Sequence, residues 1–430
     1  MVASQNALDE LTSCLTVNTL LDLARRSSET YKLLAKTSTE HFLVTPVTAL
    51  PTGKEQGKFL AIDVGGSNLR VGFVELVGEP AISKPDSHRI QDVSRTIKRS
   101  FDKSWPIGDH LKMDQPEDLF KWIGDCMAEV VQEAIYRDSI PTDEEISLGV
   151  TFSFPMARVA MGLIVGTGTN ATVPMKPEDL HPEKQNQLQE QASIENVVIN
   201  TEWTIRGTDK PLEDLGIKTK WDKTLDKNSD APGFQPFEYM TSGRYLGEIV
   251  RLAFVDLITI EGDATGIPAL LQQKNAILTR FLSEVVARAD EATLLRQLAR
   301  QYPSNEAQDD GFWNLQRACL LRNLARAVQQ RSSALIAAAC IGLLDCVGDI
   351  NLIARASNGA HDEGVEELVI AFTGGTISQY PHWLADCQAW IDKLIAASAS
   401  APVKRVVLKE AIDGGIIGAG VLAGMGGKIP

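Results

Sequence analysis

Apolar positions along the chain repeat with two different spacings, which predict alternating helices and strands. Between Leu8 and Leu34 they recur at helical spacing, so the chain is predicted to begin with helices. From Phe59 onwards, two β-rich segments, FLAIDV and LRVGFVEL, flank the turn residues Gly65-Gly66-Ser67-Asn68, a pattern typical of a hairpin. With the later segments, this alternation predicts an α/β protein.

The rest of the chain predicts further elements of both kinds. A proline and an acid open an amphipathic helix at PEDLFKWIGDCMAEVVQEAIY. Two polar segments, Met175 to Gln191 and Leu215 to Gly233, are predicted to be surface loops. Further strands are predicted at ISLGVTFSF, GLIVGTG, ENVVINTEW and ELVIAFTGG, and helices at TSGRYLGEIVRLAFVDLI, EATLLRQLARQY and from Asn314 to Val347.

Composition limits the classes of partner. The 430 residues include 42 Lys and Arg against 56 Asp and Glu, a formal net charge of −14. Because no basic run interrupts this negative field, we expect neither a nucleic-acid partner nor binding to an anionic membrane surface. The length suits two domains sharing a broad interface. Any anionic ligand must be held by local dipoles and a few placed cations.

The six cysteines are scattered, without a CxxC pair, which predicts reduced thiols and no zinc site. The N-terminus, MVASQNALDELTSCLTV, has acids and polar residues where a signal peptide has a basic start and an apolar run. The longest apolar run, Ala334 to Leu344, is too short to span a bilayer and suits a buried helix. These features predict a cytoplasmic protein without a membrane span.

The first glycine-rich turn, in IDVGGSNLRVG, is a candidate phosphate site. Glycines between two strands let backbone N–H groups face a concavity that suits phosphate oxygens. Asp63, at the strand end, can hold metal-bound water, Ser67 and Asn68 add donors, and Arg70 adds a fixed positive charge. A plain hairpin turn is the alternative. It is not a Walker loop, because no GxxxxGK[ST] occurs.

Two more glycine-rich segments are candidates of the same kind. VGTGTNA places Gly166, Thr167 and Gly168 after a predicted strand. The glycines of EAIDGGIIGAGVLAG, among them Gly414, Gly415 and Gly418, can let a helix N-terminus approach a ligand closely. The alternative for this last segment is a glycine-rich helix packed tightly in the core.

Two carboxylate motifs are candidates for recognising hydroxyl groups. NTEW places Glu202 at a strand end, and GFQPFEYM places Gln235 and Glu238 ahead of a helix. A carboxylate accepts hydrogen bonds from neutral hydroxyls in a fixed direction, as polar sugar pockets require. Taken singly, each glutamate is more often a solvated surface charge.

In order along the chain, these segments resemble the hexokinase family of the actin/Hsp70-like sugar kinase superfamily. The resemblance implies a two-domain actin-like ATPase (ribonuclease H-like) fold that transfers phosphate from ATP, with Mg²⁺, to the 6-hydroxyl of a hexose such as glucose. It places an N-terminal helical segment at 1–50, a small domain at 51–157 and a large domain at 158–430. The similar strings are FLAIDVGGSNLRVGFVEL, LGVTFSFP, GLIVGTGTNA, INTEW, PGFQPFEYMTSGRYLGEIVRL and AIDGGIIGAG.

The resemblance also implies roles for individual residues. The phosphate-binding positions are Asp63, Gly65, Gly66, Ser67, Asn68, Arg70, Gly166, Thr167 and Gly168, with Asp63 holding the metal through water. The sugar-binding positions are Asn170, Glu202, Gln235 and Glu238. The adenosine-side positions are Thr373, Gly374, Gly375, Asp413, Gly414, Gly415 and Gly418.

The adenosine side departs from the family pattern. Family members commonly carry an acid, Gly and Ser or Thr where this chain has Thr373, Gly374 and Gly375, and Gly-Ser-Gly-Lys-Gly near Gly414 to Gly418. Each neutral hydrogen bond lost weakens nucleotide binding by about 1 kcal/mol. This drift resembles the atypical hexokinase-like proteins of filamentous fungi, some of which are regarded as regulators.

A larger departure lies between Pro155 and Gly162, which are separated only by MARVAM. In the family, a long segment with a Thr-Lys-Gly-Phe sugar loop and an Asn-Asp-Thr strand end lies here, and its Asp is the catalytic base. Neither motif occurs in the chain, so no catalytic residue is identified. We expect residual hexose or nucleotide binding with turnover near background and a partly uncovered LGVTFSFP strand. The alternatives are a non-catalytic sugar-sensing regulator with a protein partner, and an inactive splice or gene-model variant.

Overall fold

Contacts divide the chain into two compact units. The larger comprises Met1–Thr48 and Ala160–Glu410, and the smaller comprises Ala49–Val159 and Ala411–Pro430. This division differs from the sequence-based one at both ends, because the N-terminal helices pack in the larger unit and the C-terminal helix packs in the smaller. The computed structural model describes residues 2–45, 47, 55–64, 68–77, 97–108, 116–137, 140, 146–151, 160–188, 194–260, 266–304, 311–353, 365–400, 404–411 and 414–426.

The described residues form strands that we number in chain order. They are β1 (Leu43–Val44), β2 (Gly57–Val64), β3 (Asn68–Leu76), β4 (Ile97–Pro106), β5 (Leu148–Thr151), β6 (Met161–Val165), β7 (Thr169–Met175), β8 (Val197–Asn200), β9 (Glu366–Thr373) and β10 (Lys404–Glu410).

The helices are numbered in the same way, and short 3₁₀ segments lie at Pro177–Asp179 and Ala269–Gln272. They are α1 (Val2–Thr12), α2 (Val17–Thr37), α3 (Pro116–Tyr136), α4 (Pro182–Leu188), α5 (Lys210–Asp214), α6 (Lys220–Lys227), α7 (Pro236–Thr241), α8 (Leu246–Ile260), α9 (Thr279–Phe281, continued by a π turn at Leu282–Val286), α10 (Glu291–Gln301), α11 (Leu315–Cys346), α12 (Gly375–Gln379), α13 (Trp383–Ala397) and α14 (Gly414–Gly426).

The sheet of the larger unit has the order β1-β8-β7-β6-β9-β10. Strands β6, β7 and β8 are antiparallel neighbours, whereas β6, β9 and β10 run parallel. In β6 and β8 every second residue is buried, as expected where one face of a sheet covers a core. The β6–β7 hairpin therefore lies at the centre of the sheet, next to the end of β9.

Helix α11 is the main core helix of the larger unit. It is long and apolar enough to cross a membrane, but 94% of its most apolar window is buried inside the protein. Its Arg331 is fully buried and forms two hydrogen bonds to Asp222 of α6, at 2.8 and 2.7 Å. This ion pair joins two helices across the core.

The smaller unit contains a sheet of order β4-β3-β2-β5. The predicted hairpin is present as β2 and β3, with Asp63 opposite Arg70, and β5 runs parallel to β2. Leu60 and Ile62 pack in a cluster with Val130 of α3, whereas Ala61 and Val74 pack with residues of α14. The two faces of this sheet are thus covered by two different helices.

Close packing of α14 depends on glycine. A Cβ at Gly149 of β5 would lie 1.8 Å from the carbonyl oxygen of Ala419, and one at Gly420 would lie 2.4 Å from Cβ of Val74. Among the described residues β5 has β2 as its one strand neighbour, so it lies at an edge of the sheet. LGVTFSFP is described only as far as Thr151, and Leu148 is exposed.

Two sequence predictions are wrong and several strands were missed. The predicted loop from Met175 contains the 3₁₀ turn at Pro177–Asp179 and helix α4, and the predicted loop from Leu215 contains α6. Helix α6 forms because Thr219 and Asp222 make a capping box, while Trp221 and Leu225 are buried. Strands β1, β4, β7 and β10 were not predicted, because their tertiary neighbours and not a strong local pattern stabilise them.

Candidate functional site

The second glycine turn, Gly166 to Gly168, connects β6 and β7. A hydrogen bond within the turn runs from Gly166 N to Gly168 O, at 2.9 Å. The Gly166 carbonyl accepts from Gly243 N at 2.8 Å and from Thr376 Oγ1 at 2.9 Å, and the Thr167 carbonyl accepts from Arg244 N at 3.1 Å. Two separate elements therefore hold the backbone of this turn in one conformation.

Glycine is needed at the positions that contact this turn. A Cβ at Gly243 would lie 2.4 Å from Thr376 Oγ1 and 2.7 Å from the Gly166 carbonyl oxygen. Gly374 has φ +123°, and a Cβ there would lie 2.4 Å from the Val165 carbonyl oxygen. The structure thus brings Gly374 and Gly375, predicted on the adenosine side, next to Gly166, predicted to bind phosphate. Thr373 is the last residue of β9, directly before them.

Three polar side chains at the ends of β7 and β8 form one hydrogen-bonded cluster, which we call the amide–carboxylate cluster: Asn170, Asn200 and Glu202. Asn170 Nδ2 donates to Asn200 Oδ1 at 2.7 Å and to Glu202 Oε1 at 3.2 Å. Asn200 Nδ2 donates to Glu202 Oε1 at 2.8 Å. Two predicted sugar-binding residues, Asn170 and Glu202, are therefore in direct contact, and Asn200, which was not predicted, forms a hydrogen bond with each of them.

The backbone around Glu202 is unusual. Glu202 has φ +48°, in the left-handed region that side-chain residues seldom occupy. Thr201 and Trp203 on either side are fully buried, and Trp203 packs edge-to-face on Phe237, with ring centroids 5.9 Å apart. Anchoring on both sides keeps Glu202 in this conformation.

Glu238, on α7, lies beside the second turn. Its Oε2 accepts from Thr169 N at 3.3 Å, and a Cβ at Gly168 would lie 3.3 Å from the same oxygen. Burial raises the pKa of the Glu238 carboxyl, while the Thr169 N–H and the Arg244 charge act in the opposite direction. Gln235 caps the start of α7, and its carbonyl accepts from Tyr239 N at 3.1 Å.

Two buried hydroxyl groups flank the second turn without a partner. Within the described part of the chain, Thr169 Oγ1 and Ser242 Oγ form no hydrogen bond. Buried hydroxyls are normally hydrogen-bonded, so unpaired ones next to a glycine turn suit a polar ligand.

The first glycine turn is described only at its two ends, because Gly65, Gly66 and Ser67 lie outside the described residues. Asp63 is buried near the end of β2, and its Oδ2 lies 3.9 Å from Arg70 Nη1 on β3. Asn68 begins β3. Among the described residues there is no group of three metal-ligating side chains. Mg²⁺ commonly keeps several waters and takes one or two carboxylates, so one carboxylate such as Asp63 fits a water-mediated contact.

The third glycine segment forms the start of α14. Asp413 lies outside the described residues, Gly414 and Gly415 are the first residues of the helix, and Gly418 is buried. The contact between Gly420 and Val74 favours the core-packing interpretation for the middle of this helix.

Sequence reasoning missed three residues that build these features: Asn200, Gly243 and Thr376. Asn200 stands in the quoted string INTEW and Gly243 in TSGRYLGE, so both were within recognised motifs. Thr376 had no such signal, since its bond to Gly166 joins positions 210 residues apart.

The fold is that of known hexokinases. A solved hexokinase from Schistosoma mansoni complexed with glucose matches with a TM-score of 0.74 at 22% identity, covering 98% of this chain and 99% of that one. A second hexokinase crystal structure matches with a TM-score of 0.65 at 18% identity. The predicted two-domain actin-like fold class is confirmed.

Sequence comparison defines the family. A family model described as hexokinase matches residues 160–425, and a second hexokinase model matches residues 7–197. Hexokinase-7 of Oryza sativa subsp. japonica is 26% identical over 444 residues, covering 89% of this chain and 87% of that protein. The hexokinase of Schistosoma mansoni is 30% identical over 315 residues, covering 58% of this chain and 62% of that protein. The chain belongs to the hexokinase family, whose reaction is the phosphorylation of a hexose by ATP with Mg²⁺. Its closeness to the fungal proteins stays a prediction.

Proposed function

We propose that this chain binds a hexose such as glucose and MgATP, and that it phosphorylates the hexose 6-hydroxyl far more slowly than an intact family member. The observation that carries the proposal is the amide–carboxylate cluster beside the second glycine turn. Its members are held by mutual hydrogen bonds of 2.7 to 3.2 Å, as a pre-organised polar surface requires.

Hexose binding would use the acceptor groups of this surface. Glu202 and Glu238 carry carboxylate oxygens that accept from sugar hydroxyls, and Asn170 offers an amide. Burial of Glu238 excludes water from its carboxylate, which strengthens a hydrogen bond to a neutral hydroxyl. Gln235, at the start of the same helix, is proposed as a further sugar contact.

Nucleotide binding would use the second turn and the residues next to it. Gly166, Thr167 and Gly168 form a turn with a fixed backbone, and the unpaired Thr169 hydroxyl adds a donor nearby. Thr373, Gly374 and Gly375 are proposed for the adenosine side, together with Asp413, Gly414, Gly415 and Gly418. The first turn, from Asp63 to Arg70, is proposed as a second phosphate site. When bound, Mg²⁺ would neutralise phosphate charge, and Asp63 would hold one of its waters.

Impaired turnover is proposed because the chain has no counterpart of the family's catalytic carboxylate. The alignment with the rice protein spans 444 positions but includes only 89% of the 430 residues of this chain. Some positions of the rice protein within the alignment therefore have no counterpart here. A hexose hydroxyl is a poor nucleophile, and losing a general base lowers the rate on the order of 10² to 10⁴. Among the described residues β5 pairs with β2 alone, as expected for a small domain without this segment.

A second candidate function is a non-catalytic sugar sensor with a protein partner. It is favoured by the same combination of features, since Asn170 and Glu202 are held by hydrogen bonds, whereas the sequence has neither the family's Asn-Asp-Thr motif nor its usual pattern at Thr373 to Gly375. A cytoplasmic location is proposed for either function, because all six cysteines are free thiols. An inactive splice or gene-model variant is the third possibility.

One experiment separates these functions. Glucose is titrated calorimetrically into the purified chain with and without MgATP, and glucose 6-phosphate formation is measured on the same sample. Binding with slow turnover supports the proposal, and binding without turnover supports the sensor. Absence of both contradicts the proposal and identifies an inactive variant. Glu202→Gln serves as the control for site-specific binding.

A further inference from the structure

We propose that Asn200 is a positioning residue that sets the hydrogen-bonding directions of Asn170 and Glu202. The consequence for ligand binding rests on the proposed function, in which these two side chains contact the hexose. Asn200 itself would not touch the sugar. Its role would be exerted through the two side chains that it holds.

The geometry assigns one orientation to the Asn200 amide. Asn170 Oδ1 already accepts from Ala171 N at 2.8 Å, so its other end is the donor, Nδ2. An ionised Glu202 can only accept. Asn200 must therefore present its oxygen to Asn170 and its nitrogen to Glu202. A side chain without both a donor and an acceptor cannot make this bridge.

The bridge decides which atoms are available to a ligand. Glu202 Oε1 accepts from both amides, so among the described residues Oε2 is the carboxylate oxygen without a hydrogen bond in the cluster. One hydrogen of Asn170 Nδ2 is held by Asn200 at 2.7 Å and the other by Glu202 at the longer distance of 3.2 Å. A sugar hydroxyl would accept the second hydrogen and donate to Glu202 Oε2, while the bond to Asn200 persists.

The bridge also supports the strained backbone of Glu202. Asn200 and Glu202 are two residues apart, and the bond between their side chains spans the fully buried Thr201. Thr201 is fixed by its own bonds, from N and Oγ1 to the Ala171 carbonyl at 3.1 and 2.9 Å. With its neighbour fixed, the φ of +48° at Glu202 directs the carboxylate back toward Asn200. Without the bridge, the carboxylate keeps only the longer bond from Asn170, at 3.2 Å.

A double-mutant cycle on glucose affinity tests this role. Asn200→Leu keeps the side-chain volume and removes both bonds, and we expect it to weaken glucose binding about tenfold. On its own, Glu202→Gln is expected to weaken glucose binding by about tenfold or more. In the Asn200→Leu background the same substitution should weaken it only about twofold, because the hydrogen bond from Asn200 that holds Glu202 is already lost. Additive effects would show that Asn200 does not act through Glu202 and would overturn the proposal.

Two companion variants separate positioning from general damage. Asn200→Asp retains the acceptor for Asn170 but opposes the Glu202 carboxylate, so it should bind glucose more weakly than Asn200→Leu. Asn228→Leu makes the same exchange at an exposed helix end of the larger unit and should leave affinity unchanged. Thermal unfolding monitors the fold, and Asn200→Ser replaces Asn200→Leu if the latter does not fold. Equal affinities of the wild-type chain and the folded Asn200 variants would contradict the proposal.

A second measurement does not need glucose. In the full chain with ¹⁵N-labelled asparagine, the side-chain amide protons of Asn170 are assigned by their absence in Asn170→Asp. We expect them to exchange slowly with solvent in the wild-type chain and in Asn228→Leu, and faster in Asn200→Leu. Unchanged exchange would overturn the proposal. If the wild-type chain fails to bind glucose, the proposed function fails, whereas this exchange measurement still decides the role of Asn200.

Discussion

The polar surface of the larger unit and the sheet of the smaller unit are built differently. In the larger unit the second turn and the amide–carboxylate cluster are each held by hydrogen bonds from two or more separate elements. In the smaller unit the described β5 has a strand neighbour on one side only, and α14 covers it through contacts that only glycine permits. The groups proposed for binding are thus held by hydrogen bonds, whereas the loss of the region that would carry the base stays a prediction from the sequence.

The largest expected effect is on turnover. On the proposal that the family's catalytic carboxylate has no counterpart here, we expect kcat to be on the order of 10² to 10⁴ below that of an intact hexokinase assayed in parallel. A coupled glucose 6-phosphate assay measures this, with heat-inactivated protein as the blank. A kcat of about 1 to 100 s⁻¹, typical of kinases, would show that another group replaces the base.

Breaking the buried ion pair of the larger unit should destabilise it strongly. Asp222→Ala leaves Arg331 charged and unpaired in the core, so we expect a loss of about 3 to 5 kcal/mol in the free energy of unfolding. Denaturant unfolding measures it. In the matched variant Asp222→Ala with Arg331→Met, part of the stability should return, because no unpaired charge remains. If the double variant loses as much free energy of unfolding as Asp222→Ala and Arg331→Met lose together as single variants, this explanation is contradicted.

The smaller unit should respond to a single methyl group. Gly149→Ala would place its Cβ 1.8 Å from the Ala419 carbonyl oxygen, so we expect a loss of about 2 kcal/mol or more, with glucose affinity of the larger unit's surface retained. The control is Gly124→Ala in α3, where no described heavy atom lies within 4 Å of the new Cβ. It should be stabilising by up to about 1 kcal/mol, because alanine is the better helix former. Equal effects of the two variants would argue against close packing of α14.

The smallest expected effect is a pH dependence of hexose binding. Burial raises the pKa of Glu238, so on acidification its carboxylate is protonated at a higher pH than the ordinary value of 4.5. Since the ionised form accepts the hydrogen bond of the sugar hydroxyl, glucose affinity should begin to fall on acidification while the pH is still above 4.5. Calorimetry across the range measures it. Glu238→Gln should bind more weakly, and without this dependence.

The raised pKa of Glu238 makes folding stability depend on pH in the opposite direction from glucose affinity. The protonated form of Glu238 is favoured in the folded protein, so its contribution to stability is present at low pH and is lost as pH rises through the folded pKa. Glu238→Gln is therefore expected to be somewhat more stable than the wild-type chain at neutral pH. A variant that is less stable at neutral pH would indicate that its bond from Thr169 N outweighs burial.

Local pattern was sufficient for much of the fold. The hairpin around Gly65 to Asn68, helix α3 and the long helix α11 were predicted because each has a strong period and clear end signals. Helix α6 was missed because its polar surface hides two buried residues, and its stability comes from a capping box and from Arg331, 109 residues away. Strand β10 was missed because KRVVLKE forms a strand through pairing with β9.

The sequence by itself determined the family, the short junction between Pro155 and Gly162, and the residue types Asn170, Glu202 and Glu238 at the proposed site, because motifs are local and are read in order. Only the tertiary structure decided that Asn200 bridges Asn170 and Glu202, that Thr376 and Gly243 hold the second turn, and that the C-terminal helix packs in the smaller unit. The physical reason is the same in each case. These features are contacts between residues far apart in the chain, and their energies depend on distances and directions that no local spacing encodes.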